Sequence, residues 1–275
     1  MTRILVMLTL TLALGFGAGV VEEQIACAQQ ALDPRVADLV QAGKLRVGLG
    51  LGVPTLAIKD PATGEARGPG VDLGRALAAR IGIEFVPVEY PRPGAVMEGL
   101  GTNAWDVAPG AIDPSLAAVV DSSPPFLEYD LTFMVPAGSP IRTVADVDQP
   151  RIRIAVERGG VGDRTLTRML KRAELVRTDT VAAGFDLLRS GQVDVRAGVR
   201  PGLLPDSARL PGSRVLEDRF GIVRVGLRVP KGRAYLSFIS EFIEEAKASG
   251  LVKRAIEAAG LQGVQVAPAG KLGTQ

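Results

Sequence analysis

The sequence predicts a mixed α/β protein made of two similar halves, and three observations carry that prediction. Short β-rich runs alternate with apolar runs at helical spacing. The alternation occurs twice along the chain. One apolar stretch, Ile222 to Val229, is long enough to cross between the halves as the chain returns to the first. Alternating strands and helices indicate a mostly parallel sheet flanked by helices. The 275 residues suffice for one large or two medium domains, at about 100–200 residues each. Hydrophobic residues make up 47% and charged residues 23%, while aromatics are only 4% beside 33 glycines and 19 prolines. The core must therefore be built from Leu, Val, Ile and Ala and broken by many turns.

The N-terminal segment stands apart. Arg3 provides a short positive region, Ile4 to Val21 is an apolar run, and Ala26-Cys27-Ala28 has the small-x-small pattern of a cleavage site. This reads as a signal peptide over residues 1–28 with Gln29 as the new N-terminus. A membrane anchor is the competing reading, because about 20 apolar residues span a bilayer. The glycines within the run and the cleavage pattern after it favour removal. A lipoprotein signal on Cys27 would want a Leu-like residue where Gln24 stands. The product is expected to be exported and soluble, in the periplasm.

The elements follow in order. Asp33 to Gln41 predicts a short helix stopped at Ala42-Gly43, and Leu45 to Leu49 a strand. Lys59 to Gly70, rich in Asp, Pro and Gly, reads as a hairpin-like loop. Val71 to Ile81 carries Leu73, Ala76, Leu77 and Ile81 at amphipathic-helix spacing and ends at Gly82. Glu84 to Val88 alternates as a strand, Ala95 to Leu100 is helical, and Val107 begins another strand. The second set has strands at Leu131 to Val135, Ile152 to Val156 and Val193 to Ala197, with helices at Asp163 to Ala173 and Ala183 to Leu188. Arg177 falls in a surface loop on this reading. Tyr235 to Ser249 and Leu251 to Ala258 predict two further helices, and 260–275 an extended tail.

The residue inventory excludes much chemistry. There is no histidine and one cysteine, which removes Ser-His-Asp and Cys-His arrangements and most zinc sites. No element has Walker spacing, and Gly48-Leu49-Gly50-Leu51-Gly52 lacks the third glycine of a dinucleotide fingerprint. A net charge of +2, dispersed along the chain, gives no case for nucleic acid. No cofactor is expected.

Eight segments in order resemble the bacterial extracellular solute-binding proteins of family 3, the polar amino acid receptors of ABC transporters. They are Gly43 to Gly48, Gly70-Val71-Asp72-Leu73, Trp105-Asp106-Val107, Val120 to Phe126, Gly138-Ser139-Pro140-Ile141, Gly191-Gln192-Val193-Asp194, Phe220-Gly221-Ile222 and Glu245 to Gly250. The resemblance implies the two-lobed type II periplasmic-binding-protein fold, with two crossover segments forming a hinge. Lobe 1 would comprise residues 29–134 plus 225–275, and lobe 2 residues 135–224. Ligands of open α/β sheets sit beyond the carboxyl ends of strands, so the loops after Leu49, Val107, Val156 and Ala197 should face the cleft. Trp105 is expected to serve packing. The loop Tyr90 to Pro93 reads equally as cleft lining or plain surface, and Asp72 and Asp194 read as structural.

The sequence departs from the amino acid pattern at three places. An α-amino acid needs a fixed cation for its carboxylate and a fixed anion for its ammonium. The resemblance implies an arginine two residues after a Thr-Pro turn; here Ile112-Asp113-Pro114-Ser115-Leu116 puts leucine there. Val199 stands at or beside the expected aspartate. Val53-Pro54-Thr55-Leu56 replaces the aromatic platform, making Thr55 and Leu56 the candidates in that loop. Gly110 and Asp113 are candidates after the Val107 strand. Arg158-Gly159-Gly160-Val161-Gly162-Asp163 runs from a strand end into a helix, where amides can converge on an anion. Arg158, Gly160, Val161 and Gly162 are therefore candidates, with Arg196 and Arg200 in the facing loop. Asp163 reads equally as a helix cap, and each arginine singly as a solvated charge.

The expectation is a non-enzymatic, monomeric binding component that delivers a small anionic or weakly polar solute to an inner-membrane permease and its ATPase. Two alternatives stay open: a dehydratase of cyclic carboxylic acids with Asp113 or Glu157 as its acid, and a sensory binding module.

Overall fold

The computed structural model describes residues 33–270. The signal-peptide reading, with Arg3, Cys27 and the cut before Gln29, lies outside the described residues. Among the described residues no helix is long and apolar enough to cross a membrane.

The described residues begin with a 3₁₀ turn at Pro34–Val36, where the Asp33 carboxylate accepts the Arg35 amide. Helix α1 (Ala37–Ala42) follows and stops at Gly43, whose φ of 66° is left-handed. Strand β1 (Lys44–Gly50) pairs in parallel with β4 (Glu84–Tyr90). Between them lie the small hairpin β2 (Ile58–Lys59) and β3 (Ala66–Arg67) and the helix α2 (Pro69–Ile81). Leu73 and Leu77 are buried there against Leu45 and Val47, as the helical spacing of the apolar residues requires. The Ala95 to Leu100 helix is a 3₁₀ segment over Pro93–Leu100. It is joined to the sheet by Trp105, whose indole donates to the Val96 carbonyl at 2.8 Å.

The main sheet runs through β5 (Ala108–Ala111), β12 (Gly221–Pro230), β7 (Leu127–Val135), β10 (Val195–Val199), β8 (Arg153–Glu157) and β9 (Glu174–Thr178). Three short strands attach to it: β6 (Val120–Ser122) on β12, and β11 (Arg214–Val215) and β13 (Val264–Val266) on β7. Strands β7 and β12 link the two halves. The first part of β7 pairs with β12 and β13, and its later part with β10 and β11. Strand β12 leaves β7 at Val225 and continues along β5 and β6.

Two-residue alternation places side chains on both faces of the second half. Phe133, Ile154, Val156 and Val195 meet Leu166 of α3 (Val161–Met169) on one face. Met134 and Ala155 meet Phe185 and Leu188 of α4 (Val181–Arg189) and Leu203 of α5 (Arg200–Ala208) on the other. The first half has its own core, which includes Ile239 and Phe242 of α6 (Leu236–Ala248) and Val252 of α7 (Leu251–Ala258). Phe220 touches both cores and meets the Phe133 ring at 4.6 Å.

Several elements differ from the sequence reading. The helix expected through Ala173 ends at Met169, because the Asp148 carboxylate gathers the amides of Lys171, Arg172 and Ala173 into a turn. Arg177 belongs to β9 and not to a surface loop. Helix α5 was not foreseen. Pro201 at its start and Pro205 within it mask the periodicity. The expected tail contributes β13.

Candidate functional site

The strand ends of both halves enclose a cavity of about 520 Å³. Gly52 to Thr55, after β1, and Ala111, ending β5, form one wall. Tyr129 and Leu131 of β7 and Val223 of β12 form the back. The opposite wall holds the end of β8 and Gly160, Val161 and Gly162 at the start of α3. Val181, beginning α4, lies beside Val199, Pro201 and Gly202 at the β10–α5 junction.

Three helix N-termini thus meet at one wall. First-turn amides have no intrahelical acceptor and carry partial positive charge. For α3 the cap is Gly160, which has no side chain to occupy those amides. Gly159 before it has a φ of 70°, a left-handed turn that suits glycine. In α4 the Thr180 hydroxyl accepts the Ala183 amide at 3.1 Å.

The polar side chains facing the cavity are few. Thr55 is 4% exposed, and its hydroxyl has no well-formed hydrogen bond among the described residues. Burial pushes the neighbouring Tyr129 phenol up, with the Thr55 hydroxyl acting in the opposite direction. Thr178 is already satisfied, donating to the Thr180 carbonyl at 3.0 Å. Arg196 is buried and held by Asp206 at 2.6 Å. Glu157 stands exposed at the edge.

The expected residues are placed as follows. Thr55, Gly160, Val161 and Gly162 line the cavity. Leu56 turns into the core, and its carbonyl accepts the Gly70 amide at 3.0 Å. Gly110 lies beneath the Arg228 guanidinium. Asp113 caps the turn Pro114–Leu116 and binds the Ser115 hydroxyl at 2.7 Å and amide at 2.9 Å. Those two bonds hold its carboxyl below the usual range. From there it reaches Arg164 of α3 at 3.4 Å.

Arg158 points out to Asp179 at 3.1 Å and is not part of the wall. Arg200 also turns away from the cavity, to Asp130 at 3.0 Å and the carbonyls of Leu216 and Glu217. A strand-to-helix junction fixes only where the backbone points, and Asp130 on β7 draws this arginine behind the sheet. Leu116 packs beside Val96 and Trp105, while Val199 lines the cavity.

Asp163 is buried. Burial pushes its carboxyl up, but the Gly159 amide, the Thr167 hydroxyl and Arg177 outweigh this and hold it below the usual range. Arg177 therefore anchors the loop before α3. Pro201 and Gly202 were missed, although Gly198-Val199-Arg200-Pro201-Gly202 shows the same strand-to-helix punctuation as the α3 loop. Tyr129 and Leu131 lie mid-strand and give no local signal. Among the described residues no group of three or more His, Cys, Asp or Glu could hold a metal.

Residues 45–259 match the family of bacterial extracellular solute-binding proteins, family 3. Cyclohexadienyl dehydratase of Pseudomonas aeruginosa is 23% identical over 239 residues, covering 83% of this chain and 87% of its own. Among solved structures, the ancestral amino acid-binding protein AncCDT-1, a precursor of cyclohexadienyl dehydratase, aligns with a TM-score of 0.66 at 21% identity. That alignment covers 81% of this chain and 97% of the other. A protein from Wolinella succinogenes assigned as the binding component of an ABC transporter, complexed with lysine, gives 0.68 at 23% identity, covering 78% and 95%. The solute receptor for L-cysteine of Neisseria gonorrhoeae gives 0.65 at 23%, covering 82% and 92%. These likenesses share the two-lobed type II fold.

Proposed function

Because the chain belongs to the bacterial extracellular solute-binding proteins of family 3, we propose that it is the substrate-binding component of an ABC uptake transporter, taking a small anionic or weakly polar solute and no ordinary zwitterionic amino acid. One observation carries the reading: the cavity wall is apolar and amide-rich, and among the described residues that line it none is a desolvated carboxylate free to receive an ammonium. Val199 lies on that wall, at or beside the position where the resemblance implies an aspartate, Glu157 is at the exposed edge, and Asp206 is taken by Arg196. An ammonium drawn from water into such a wall would lose its hydration without a counter-charge. The lobes in this reading are residues 29–134 with 225–275, and 135–224, hinged at β7 and β12. The partners are an inner-membrane permease and its ATPase, and the protein works as a monomer in the periplasm after signal-peptide removal.

A thermal-shift screen against small metabolites tests the solute class, since ligand at about 100 times its Kd stabilises by roughly 2.7 kcal/mol. Calorimetry with the common amino acids should show no tight binding. Tight binding of any one of them would overturn the reading.

A dehydratase is the second reading. It is favoured by the Pseudomonas relative and by a carboxylate, Glu157, on the cavity. Asp113, the other candidate acid, is held as an anion by its Ser115 bonds, which suits it poorly to donate a proton. Incubation with cyclohexadienyl carboxylic acids decides between the two. Loss of water from the substrate that disappears in Glu157→Gln would make the protein an enzyme.

A further inference from the structure

Arg228 lies on β12 opposite Ala108, and its side chain runs along β5 towards the end of that strand. The guanidinium rests on Gly110, where a Cβ would overlap its carbon and both terminal nitrogens. Nε and Nη2 donate to the carbonyl of Ala111, and Nη1 faces the Met97 sulfur at 3.9 Å. Ala111 itself lines the cavity, whereas Arg228 and Gly110 lie next to it outside the lining. A guanidinium has five N–H groups, and here their partners are a neutral carbonyl and a thioether. Among the described residues no carboxylate lies within 4.0 Å of it, and Asp113 acts on it only through space.

Arg196 and Arg200, which are also largely enclosed, meet carboxylates at 2.6 and 3.0 Å. Burial pushes the Arg228 guanidinium down from its ordinary value, the direction expected of a charge taken from water without a counter-ion. The fold nevertheless keeps a glycine beneath it and holds it in one orientation. Leu116, where the resemblance expects a cation, lies in the apolar cluster that includes Met97, on which Arg228 leans.

We infer that Arg228, seated on Gly110 just behind the cavity-lining Ala111, is an anion receptor at the first-half edge of the cleft, which takes a carboxylate of the bound solute reaching past Ala111 while the solute's apolar body fills the cavity. The inference rests on the cleft being the solute site. The class of ligand is then a monocarboxylate with an apolar body and no ammonium group. Its carboxylate gains a charge-assisted bond from a donor already oriented by Ala111, and binding supplies the counter-ion that the free protein lacks.

The test uses benzoate, phenylacetate and hexanoate, each beside its amide, in calorimetry with the wild type and with Arg228→Gln, Gly110→Ala, Gly160→Val and the exposed control Arg189→Gln. Each carboxylate should bind the wild type more tightly than its amide. In Arg228→Gln and Gly110→Ala that preference should fall by roughly tenfold to a hundredfold, the range of a charged hydrogen bond, with amide affinity unchanged. The control should match the wild type.

Preference unchanged in Arg228→Gln, or lost only in Gly160→Val, would overturn the inference and place the anion on the α3 amides. Amides binding as well as carboxylates would overturn it while leaving the cleft reading intact. Failure of every probe to bind the wild type would count against the solute class and this inference together. Protection needs no mutant: benzoate should slow modification of Arg228 by phenylglyoxal in the wild type, read by mass spectrometry. Equal modification with and without benzoate contradicts the inference.

Discussion

The hydroxyl of Thr55, enclosed at the cavity without a well-formed hydrogen bond, sets two requirements in opposition. An unsatisfied buried donor costs about 1–3 kcal/mol, whereas a solute with an acceptor group would recover that cost on binding. Thr55→Val should therefore leave the free protein as stable as the wild type, or more stable by up to about 1 kcal/mol, and weaken solute binding. Urea unfolding and calorimetry read the two effects separately, and a marked loss of stability would mean that the hydroxyl is satisfied in the free protein. Arg177 makes the contrasting case. Its removal would leave the buried Asp163 carboxylate without its cation at 2.9 Å. Arg177→Ala should thus cost about 1–2 kcal/mol, less than a sealed pair because Arg177 is a third exposed. It should also loosen the α3 loop, which equal stability in urea would refute. Sequence alone could not rank the arginines. Arg158, Arg177, Arg200 and Arg228 differ in the carboxylate each meets, and those partners come from distant strands.

Elements with a strong apolar stripe were legible because burial of one face fixes both their period and their register. Leu73 and Leu77 on α2, and Ile239 and Phe242 on α6, are buried as their spacing requires. Helix α5 was not legible, since Pro201 and Pro205 disguise a segment that buries only Leu203. The span of β7 was underestimated at its start. Leu127, Glu128 and Tyr129 are all buried in the structure, and a strand covered on both faces shows no alternation. Helix α2 starts at Pro69, two residues before the apolar spacing that begins at Val71. Gly70 sits where a Cβ would lie 2.7 Å from the Pro109 side chain and 2.9 Å from the Leu56 carbonyl. Helix α2, β5 and the loop behind Thr55 thus meet at one point that has no room to give. Gly70→Ala should destabilise the protein by about 2 kcal/mol or more and weaken solute binding through the Thr55 loop. A neutral effect in thermal unfolding would show that α2 can shift.

At the scale of the whole molecule, two halves were readable from the repeated strand–helix alternation, and the crossing of Ile222 to Val229 was readable from its length, but the registers that join the halves were not. Strands β7 and β12 pair in both halves, and only the registers reveal which residues of each strand do so. The absence of histidine gives the assembled protein an unusual pH response, because no side chain with an ordinary pKa titrates between about pH 5 and 8. On the acid side, the Arg35 side chain and amide hold Asp33 down to about 2. Bonds to Ser115 hold Asp113 low, and the Ala173 and Arg172 amides do the same for Asp148. Carboxylates depressed in the folded state contribute stability above their unfolded value near 4, and that contribution is lost as the pH falls through their folded values. Half-buried Asp72 opposes them, since burial raises its carboxyl. On the alkaline side, burial pushes the Tyr235 phenol up to about 12, with Asp106 adding to it. A raised phenol contributes stability below its unfolded value near 10 and loses it as the pH climbs through 12. Stability measured by urea unfolding should therefore be flat from about pH 5 to 9, fall below pH 4 and fall again above pH 10. A transition centred between pH 6 and 7 would contradict this account, because it would require a buried group whose charge changes in a window that the named carboxylates and phenol do not occupy.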